Sequence, residues 1–170
     1  MKQLWAPWRM TYIRSADEPV PACIFCAYPA AGPSHYREHL ILVVQPHGFV
    51  IMNRFPYGYG HFMVVPRRHV TAPGDLEAAE WAATCELLRA ATAAAGRALG
   101  TSDFNIGMNL GRAAGAGIAD HCHFHVVPRW NGDTNFMPLI GETKVISEHL
   151  SETYERLLPE LAPLGEGPSP

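Results

Sequence analysis

Residues 121–125 read His-Cys-His-Phe-His, so three imidazoles alternate with two apolar side chains. Successive side chains of a β-strand point to opposite faces of its sheet. The histidines therefore share one face, while Cys122, Phe124 and Val126 share the other, which is apolar and suits a core. Because buried imidazoles without partners cost free energy, the alternation predicts a strand over 121–127 whose histidine face has a function.

A row of histidines permits two kinds of chemistry. A neutral imidazole, whose ordinary pKa is about 6.5, is a competent nucleophile towards phosphorus. His123 is the candidate nucleophile, and a neighbour such as His125 could donate a hydrogen bond to a phosphate oxygen. Alternatively, three histidines could hold a zinc ion for hydrolysis. The spacing of the outer pair, His121 and His125, disfavours closure on one ion without a bend, and a chance cluster on an exposed face is a third interpretation.

The loop before this strand favours the phosphate chemistry. It carries Gly111, Gly115 and Gly117. Glycines allow backbone N–H groups to approach an anion closely. Glycine-rich loops are common, but next to a histidine row this one predicts a phosphate cradle beside a nucleophile.

Bulk properties bound the class of protein. The chain has 170 residues, enough for one compact domain with a core. Its net charge of -3, from 13 basic and 16 acidic residues, argues against binding to nucleic acid. No apolar run of about eighteen residues predicts a membrane span, and the N-terminus lacks the apolar core of a signal peptide. We therefore expect a cytoplasmic protein.

Hydrophobic patterns predict an α+β domain over residues 23–162 with a mostly antiparallel sheet. A long helix is expected to begin after an Asp75 N-cap and to stop at Gly100, and a short helix should follow near the C-terminus. An ordered arm that includes Trp5 and Trp8 is expected to precede the domain, and a loose tail to follow it. The strands are expected at residues 40–44, 49–52, 61–65, 104–109 and 121–127, and the helices at 76–99 and 148–161. The arm would comprise residues 1–22 and the tail residues 163–170.

Cys23 and Cys26 form a C-x-x-C pair. In a reducing compartment such a pair indicates metal or redox chemistry rather than a disulfide framework. A closed tetrahedral zinc site needs two more ligands from elsewhere in the chain. The alternatives are a reduced, metal-free pair and a thioredoxin-like pair. The latter is disfavoured because no helix start that would lower a thiol pKa is evident after Cys26.

Four motifs together resemble the histidine triad (HIT) family. Residues 121–127 fit its signature His-φ-His-φ-His-φ-φ, where φ is hydrophobic. Residues 52–61 are similar to its strand-loop-strand unit with Asn, Pro and Gly-His, and residues 64–69 match a further segment. Asn109, six residues before Gly115, is the fourth match. The resemblance spans residues 23–130.

This resemblance implies a HIT-like fold, a homodimer and transfer or hydrolysis of nucleoside monophosphates through a histidine adduct. His123 of the triad His121, His123 and His125 would be the nucleophile. His125 would contact the phosphate and Asn53 the ribose. Asn109 would contact a phosphate or the bridging oxygen. Backbone amides around Gly115, Ala116 and Gly117 would hold the phosphate. The relatives also imply a structural zinc on Cys23, Cys26, His69 and His121.

The chain departs from many family members at Ala116-Gly117, where they have Gln-Ser or Gln-Thr. Hydroxyl assistance to the leaving group is therefore not expected, which disfavours a phosphoramidase. Residues 4–10 and 128–136 resemble the bacterial diadenosine tetraphosphate phosphorylases of the family. By that resemblance Trp130 bounds the distal nucleotide, although plain packing at a strand end explains it equally well.

The leading hypothesis is phosphorolysis of diadenosine tetraphosphate, with inorganic phosphate as the acceptor and any magnesium arriving with the substrate. Three alternatives stay open at this point. They are hydrolysis of dinucleoside polyphosphates, phosphoramidates or adenylates, nucleotide binding without catalysis, and a metallohydrolase with zinc on the triad.

Overall fold

The computed structural model describes residues 23–133 and 148–168. The predicted arm at residues 1–22 and the similarity at residues 134–136 lie outside this part. The described strands are β1 (Ile41–Val44), β2 (Gly48–Met52), β3 (Phe62–Pro66), β4 (Asp103–Gly107) and β5 (Phe124–Arg129). The helices are α1 (Ile24–Ala30), α2 (Ala78–Leu99) and α3 (Leu150–Leu161).

The five strands form one sheet in the order β1-β2-β3-β5-β4, and every neighbouring pair is antiparallel. The α+β prediction with an antiparallel sheet is confirmed. β5 lies between β3 and β4, so His125 is opposite Met63 on one side and Gly107 on the other. The end of the histidine row therefore lies inside the sheet rather than at its edge.

The two faces of the sheet have separate cores. On one face, α2 and α3 cover a cluster that includes Phe62, Val64 and Val126, with Phe124 packed against it. On the other face, α1 covers a second cluster that includes Phe25 and Met63. Since Met63 pairs with His125, the apolar members of β5 lie under the long helix and the histidine lies on the opposite face, as the alternation predicts.

The ladder of β5 begins three residues later than predicted. His121 and His123 precede it, and the intervening Cys122 N–H donates to the carbonyl of Val70 at 2.7 Å. His123 bonds to the backbone of its own segment at 2.8 Å. These contacts replace strand pairing at the first two histidines, and the second holds the His123 ring in place.

The long helix starts at a different residue from the one predicted. Asp75 belongs to a short 3-10 turn, and the N-cap of α2 is Glu77. Glu77 and Glu80 form a reciprocal capping box, in which each side chain accepts a backbone N–H of the other. The Asp75 N-cap prediction is wrong because this box satisfies the first turn two residues later. Gly100 ends the helix in the left-handed conformation at φ 67°, as predicted.

Two segments at the ends of the domain differ from expectation. The short helix α1 begins directly after Cys23, where the sequence indicated no helix start near the cysteine pair. The first part of the predicted loose tail is held against β1, because Gln45 donates to the Leu164 carbonyl at 2.7 Å and Val44 and Glu166 exchange two backbone hydrogen bonds. Within the described residues, no helix combines the length and hydropathy needed to span a bilayer.

Candidate active site and metal centre

His123 is held in one tautomer by its own backbone. Its Nδ1 lies 2.8 Å from the carbonyl oxygen of His121. A carbonyl can only accept, so Nδ1 carries the proton and donates it, which leaves the lone pair on Nε2. The ring is 4% exposed, and burial lowers the pKa of His123 below its ordinary value of 6.5, although the hydrogen bond to His121 opposes this. The result is a neutral imidazole with a nucleophilic nitrogen.

His125 is fixed by a chain of two hydrogen bonds that begins at the loop before β3. The Tyr57 backbone N–H donates to His61 Nδ1 at 2.9 Å, so the proton of that ring must be on Nε2. His61 Nε2 lies 3.0 Å from His125 Nδ1 and donates to it. His125 Nδ1 is then an acceptor, and its proton is on Nε2. The arrangement holds only while both rings are neutral.

The electrostatics of His125 agree with this assignment. Burial, with a smaller contribution from neighbouring His123, lowers the pKa of His125 from 6.5 to about 4. The ring is therefore neutral at physiological pH and available as an N–H donor from Nε2. Its centroid lies 4.8 Å from that of His123, at an interplanar angle of 68°. A lone pair and an N–H donor thus sit side by side, which suits attack on phosphorus with support for a phosphate oxygen.

The second cluster consists of the four predicted metal ligands. The ligand atoms of Cys23, Cys26, His69 and His121 all lie within 4.8 Å of one another. His121 Nδ1 is 3.4 Å from Cys23 Sγ and 3.7 Å from Cys26 Sγ, and His69 Nδ1 is 3.4 Å from Cys26 Sγ. In a tetrahedral site with ordinary Zn–S and Zn–N bonds, nitrogen and sulfur ligands are about 3.6 Å apart. The cluster therefore has the size and donor set of a structural zinc site.

His121 is also in the tautomer that such a site requires. Its Nε2 donates to the Pro66 carbonyl at 2.8 Å, which leaves the lone pair on Nδ1, the atom nearest the two cysteines. A backbone carbonyl that accepts from the other ring nitrogen is the usual partner of a metal-bound histidine. Because His121 lies in the candidate metal cluster with Cys23, Cys26 and His69, a metallohydrolase built on all three triad histidines is disfavoured.

The metal cluster and the nucleophile are physically connected. The carbonyl that holds His123 belongs to His121. Phe25, which lies between the two cysteines in the chain, packs its ring 5.5 Å from His121 and 4.9 Å from His123. Helix α1 carries Phe25 and Cys26, and Cys23 is its N-cap, so an ion bound there would fix the surroundings of the nucleophile.

The glycine-rich loop borders the triad segment as predicted, but part of its backbone is already engaged. Gly115 N–H donates to the Arg112 carbonyl at 3.0 Å, and Ala116 N–H donates to the Gly111 carbonyl at 3.3 Å. Across the described residues, the Gly117 amide donates no hydrogen bond and is available to an anion. Asn109, at the start of the loop, is half-buried. The Gly117 amide could donate directly to a bound phosphate. The Ala116 amide could do so only by sharing or giving up its long hydrogen bond to Gly111.

Asn53 and Trp130 have local structural contacts. The Asn53 side chain accepts the Phe55 N–H at 2.9 Å, which is the turn contact expected of an asparagine before a proline. Trp130 packs 5.2 Å from the ring of Tyr59, and its backbone N–H donates to Asp133 at 3.1 Å. Both residues lie on loops beside β3 and β5, and their contacts with a nucleotide are proposals.

Sequence reasoning missed His61 as a functional residue. It was assigned only to the start of a strand, yet it is fully buried and hydrogen-bonded to the triad. The signal lies in the register of β3 against β5, which no local sequence pattern gives. His61 follows Gly60 at the entry of β3, on the same face as Met63, which pairs with His125, so His61 is a diagonal neighbour of His125.

Comparison with known proteins agrees with this geometry. The HIT domain family model matches residues 37–132. The AP-4-A phosphorylase of Mycobacterium tuberculosis is 36% identical over 95% of this chain and 85% of its own length. An uncharacterized HIT-like protein of Saccharolobus solfataricus is 31% identical, over 81% of this chain and 96% of its own.

A similar solved structure is that of a Zn-bound histidine triad family protein from Mycobacterium smegmatis, with a TM-score of 0.65 and 26% identity. The alignment covers 84% of this chain and 95% of that one. The triad geometry, the family match across more than half of the chain and these two relatives lead to one conclusion: the chain belongs to the HIT family.

Proposed function

We propose that this protein transfers a nucleotidyl group from a dinucleoside polyphosphate through a covalent adduct on His123, with diadenosine tetraphosphate as the substrate and inorganic phosphate as the acceptor. One observation carries the proposal. The His121 carbonyl fixes the proton of His123 on Nδ1, so the lone pair is on Nε2 of a ring whose centroid lies 4.8 Å from that of His125.

The reaction balances in two steps. His123 Nε2 attacks the α-phosphorus of one adenosine, a P–N bond forms, and the bridging P–O bond breaks to release ATP. An oxygen of inorganic phosphate then attacks the adenylyl-histidine, the P–N bond breaks, and ADP leaves. Water in place of phosphate would give AMP. During both attacks, the His125 N–H and the Gly117 amide would support the negative charge on the phosphorus oxygens.

The choice of a dinucleoside polyphosphate rests on two observations. The 36% identical relative bears the name AP-4-A phosphorylase. Ala116 and Gly117 supply no hydroxyl beside the triad, so assistance to an amine leaving group is absent at that position. A polyphosphate is a better leaving group than an amine and needs less help, which favours it over a phosphoramidate.

The other contacts expected of the site belong to the same proposal. Asn53 would hold the ribose, Asn109 would contact a phosphate or the bridging oxygen, and Trp130 would border the distal nucleotide. Magnesium would enter with the polyphosphate. By family resemblance we also expect a homodimer, which light scattering of the purified protein would test.

We further propose that Cys23, Cys26, His69 and His121 hold a structural zinc ion. The fit of the donor atoms and the tautomer of His121 support this assignment. When bound, zinc would supply cross-linking rather than reaction chemistry, since four protein ligands close its coordination. It would tie α1 to the segment that precedes β5.

Product analysis tests the proposed reaction. The protein is incubated with diadenosine tetraphosphate with and without inorganic phosphate, and nucleotides are separated by chromatography. We expect equal amounts of ATP and ADP with phosphate. ADP that carries no label from ³²P-phosphate, or AMP formed equally under both conditions, would contradict phosphorolysis, and the second result would identify a hydrolase.

Asn53→Ala is expected to reduce the preference for a ribose over a 2′,3′-dideoxyribose. A hydrogen bond to a sugar hydroxyl contributes about 1–1.5 kcal/mol, so the preference should fall by roughly tenfold. The measurement compares the Kd of adenosine and dideoxyadenosine nucleotides for both proteins. If Asn53 only stabilises the turn at Phe55, the variant binds both nucleotides more weakly by the same factor and the preference is unchanged.

A further inference from the structure

The ring of Tyr57 lies over the hydrogen-bonded pair of histidines. Its centroid is 4.6 Å from that of His61 and 5.1 Å from that of His125, with interplanar angles of 33° and 31°. One side of the Tyr57 ring therefore covers both imidazoles. Tyr57 is 44% exposed, whereas His61 is fully buried and His125 only partly exposed, so the ring shields one side of the histidine pair from solvent.

The backbone of the same residue begins the hydrogen-bond chain. Tyr57 N–H donates to His61 Nδ1 at 2.9 Å, and His61 in turn donates to His125 at 3.0 Å. The hydrogen bonds run in one direction, from Tyr57 through His61 to His125. Protonation of His125 at Nδ1 would place its N–H against the N–H of His61 and break the last bond. Tyr57 thus contributes a donor that sets the tautomers and a ring that excludes water from them.

We propose that Tyr57 is a positioning residue of the nucleotidyl-transfer site, whose ring keeps the His61–His125 pair dry and neutral so that His125 presents its N–H to the substrate. The inference rests on the function proposed above for His123 and His125. The groups that face His125 are His123 from its own segment, His61 from the entry of β3 and Tyr57 from the loop.

The sign of the effect follows from burial. Desolvation is the largest cause of the lowered pKa of His125, because a buried imidazolium loses hydration. Removal of the ring admits water, which stabilises the cation and raises this pKa from about 4 towards 6.5. Near pH 5, more of His125 would then be protonated, the bond from His61 would be lost in those molecules, and turnover would fall.

The test uses the full-length chain and the variants Tyr57→Ala, Tyr57→Phe and Phe55→Ala. Phe55 lies on the same loop and is 55% exposed, so its replacement is a matched change of a solvent-facing aromatic residue. Imidazole ¹⁵N spectra give the tautomer and titration midpoint of His125, with its signals assigned from His125→Asn. Kinetics with diadenosine tetraphosphate between pH 5 and 8 give kcat and KM.

We expect Tyr57→Ala to raise the His125 midpoint by about one unit, a fraction of the shifts that full burial produces. We also expect kcat at pH 5 to fall about twofold with KM within a factor of two, a loss that nearly disappears by pH 7. Tyr57→Phe should restore both quantities, since a phenyl ring covers the same area, and Phe55→Ala should leave the midpoint in place.

Two results would overturn the inference. One is an unchanged midpoint in Tyr57→Ala, including the case in which only KM rises because the ring merely contacts substrate. The other is an equal shift in Phe55→Ala. The titration requires no turnover, so a wild-type protein that converts no polyphosphate would reject the proposed function while the midpoint still decides the role of Tyr57.

Discussion

His123→Ala is expected to abolish turnover of diadenosine tetraphosphate, by at least about 10⁴-fold in kcat, while nucleotide binding stays within a few-fold of wild type. Removal of an enzyme nucleophile typically has effects of this size. Binding should persist because the ribose and phosphate contacts proposed for Asn53 and Gly117 do not involve the imidazole. The measurements are single-turnover kinetics and calorimetric titration with a nonhydrolysable analogue.

Two further variants separate loss of chemistry from loss of structure. His123→Gln keeps a polar side chain of similar size in place of the imidazole but has no nucleophilic lone pair, so we expect an equally inactive protein with better preserved stability. His47→Ala removes an exposed histidine at the β1–β2 turn and should keep full activity. Substantial turnover by His123→Gln would reject the adduct mechanism.

Removal of the proposed zinc ion has the second largest expected effect. A structural zinc ion contributes several kcal/mol to folding, and each kcal/mol shifts the melting temperature of a domain of this size by about 2–4 °C. We therefore expect a strong chelator to lower the Tm by roughly 10 °C, and Cys26→Ser to do the same without chelator. Elemental analysis should find one zinc per wild-type chain.

The matched control for this prediction is Cys85→Ser. Cys85 lies on α2, far from the metal cluster in the fold, and is half-buried like Cys26. Its variant should keep both the zinc and its sensitivity to chelator. A wild-type protein without zinc, with a Tm that chelator does not change, would contradict the metal site.

Loss of the proposed zinc ion should also lower the activity that depends on the nucleophile His123. The His121 backbone holds His123, and Phe25 on α1 packs against both rings. If the metal served folding alone, the protein treated with chelator would lose activity only in proportion to its fraction of unfolded molecules. The connection through His121 predicts a lower kcat at temperatures where the chelated protein is still folded.

The alternation of histidines was sufficient to predict which side chains of β5 enter the core. Phe124 and Val126 lie under the helices as expected, because the period of a strand leaves no other choice once one face is apolar. The C-x-x-C pair was likewise recognisable, but its two partners are 43 and 95 or more residues away. Their identity came from family resemblance and not from local pattern.

What the sequence could not supply depends on contacts between distant segments. The role of His61 follows from the register of β3 against β5, which no local pattern encodes. Helix α1 has seven residues, a proline inside it and no side-chain cap, so it lacked the signals of a helix and is stabilised by packing of Phe25. Asp75 has the chemistry of an N-cap, but Glu77 and Glu80 compete successfully through a reciprocal pair.

The central claim is that one neutral imidazole, His123, forms a bond to phosphorus. Rapid acid-free quenching during turnover of diadenosine tetraphosphate, followed by peptide mass spectrometry, tests it directly. We predict one adenylyl group on the peptide that contains His123, formed together with ATP and discharged to ADP when inorganic phosphate is added. Turnover at the full rate without any adduct would contradict the account. So would an adduct on another residue that passes its adenylyl group to phosphate at the rate of turnover.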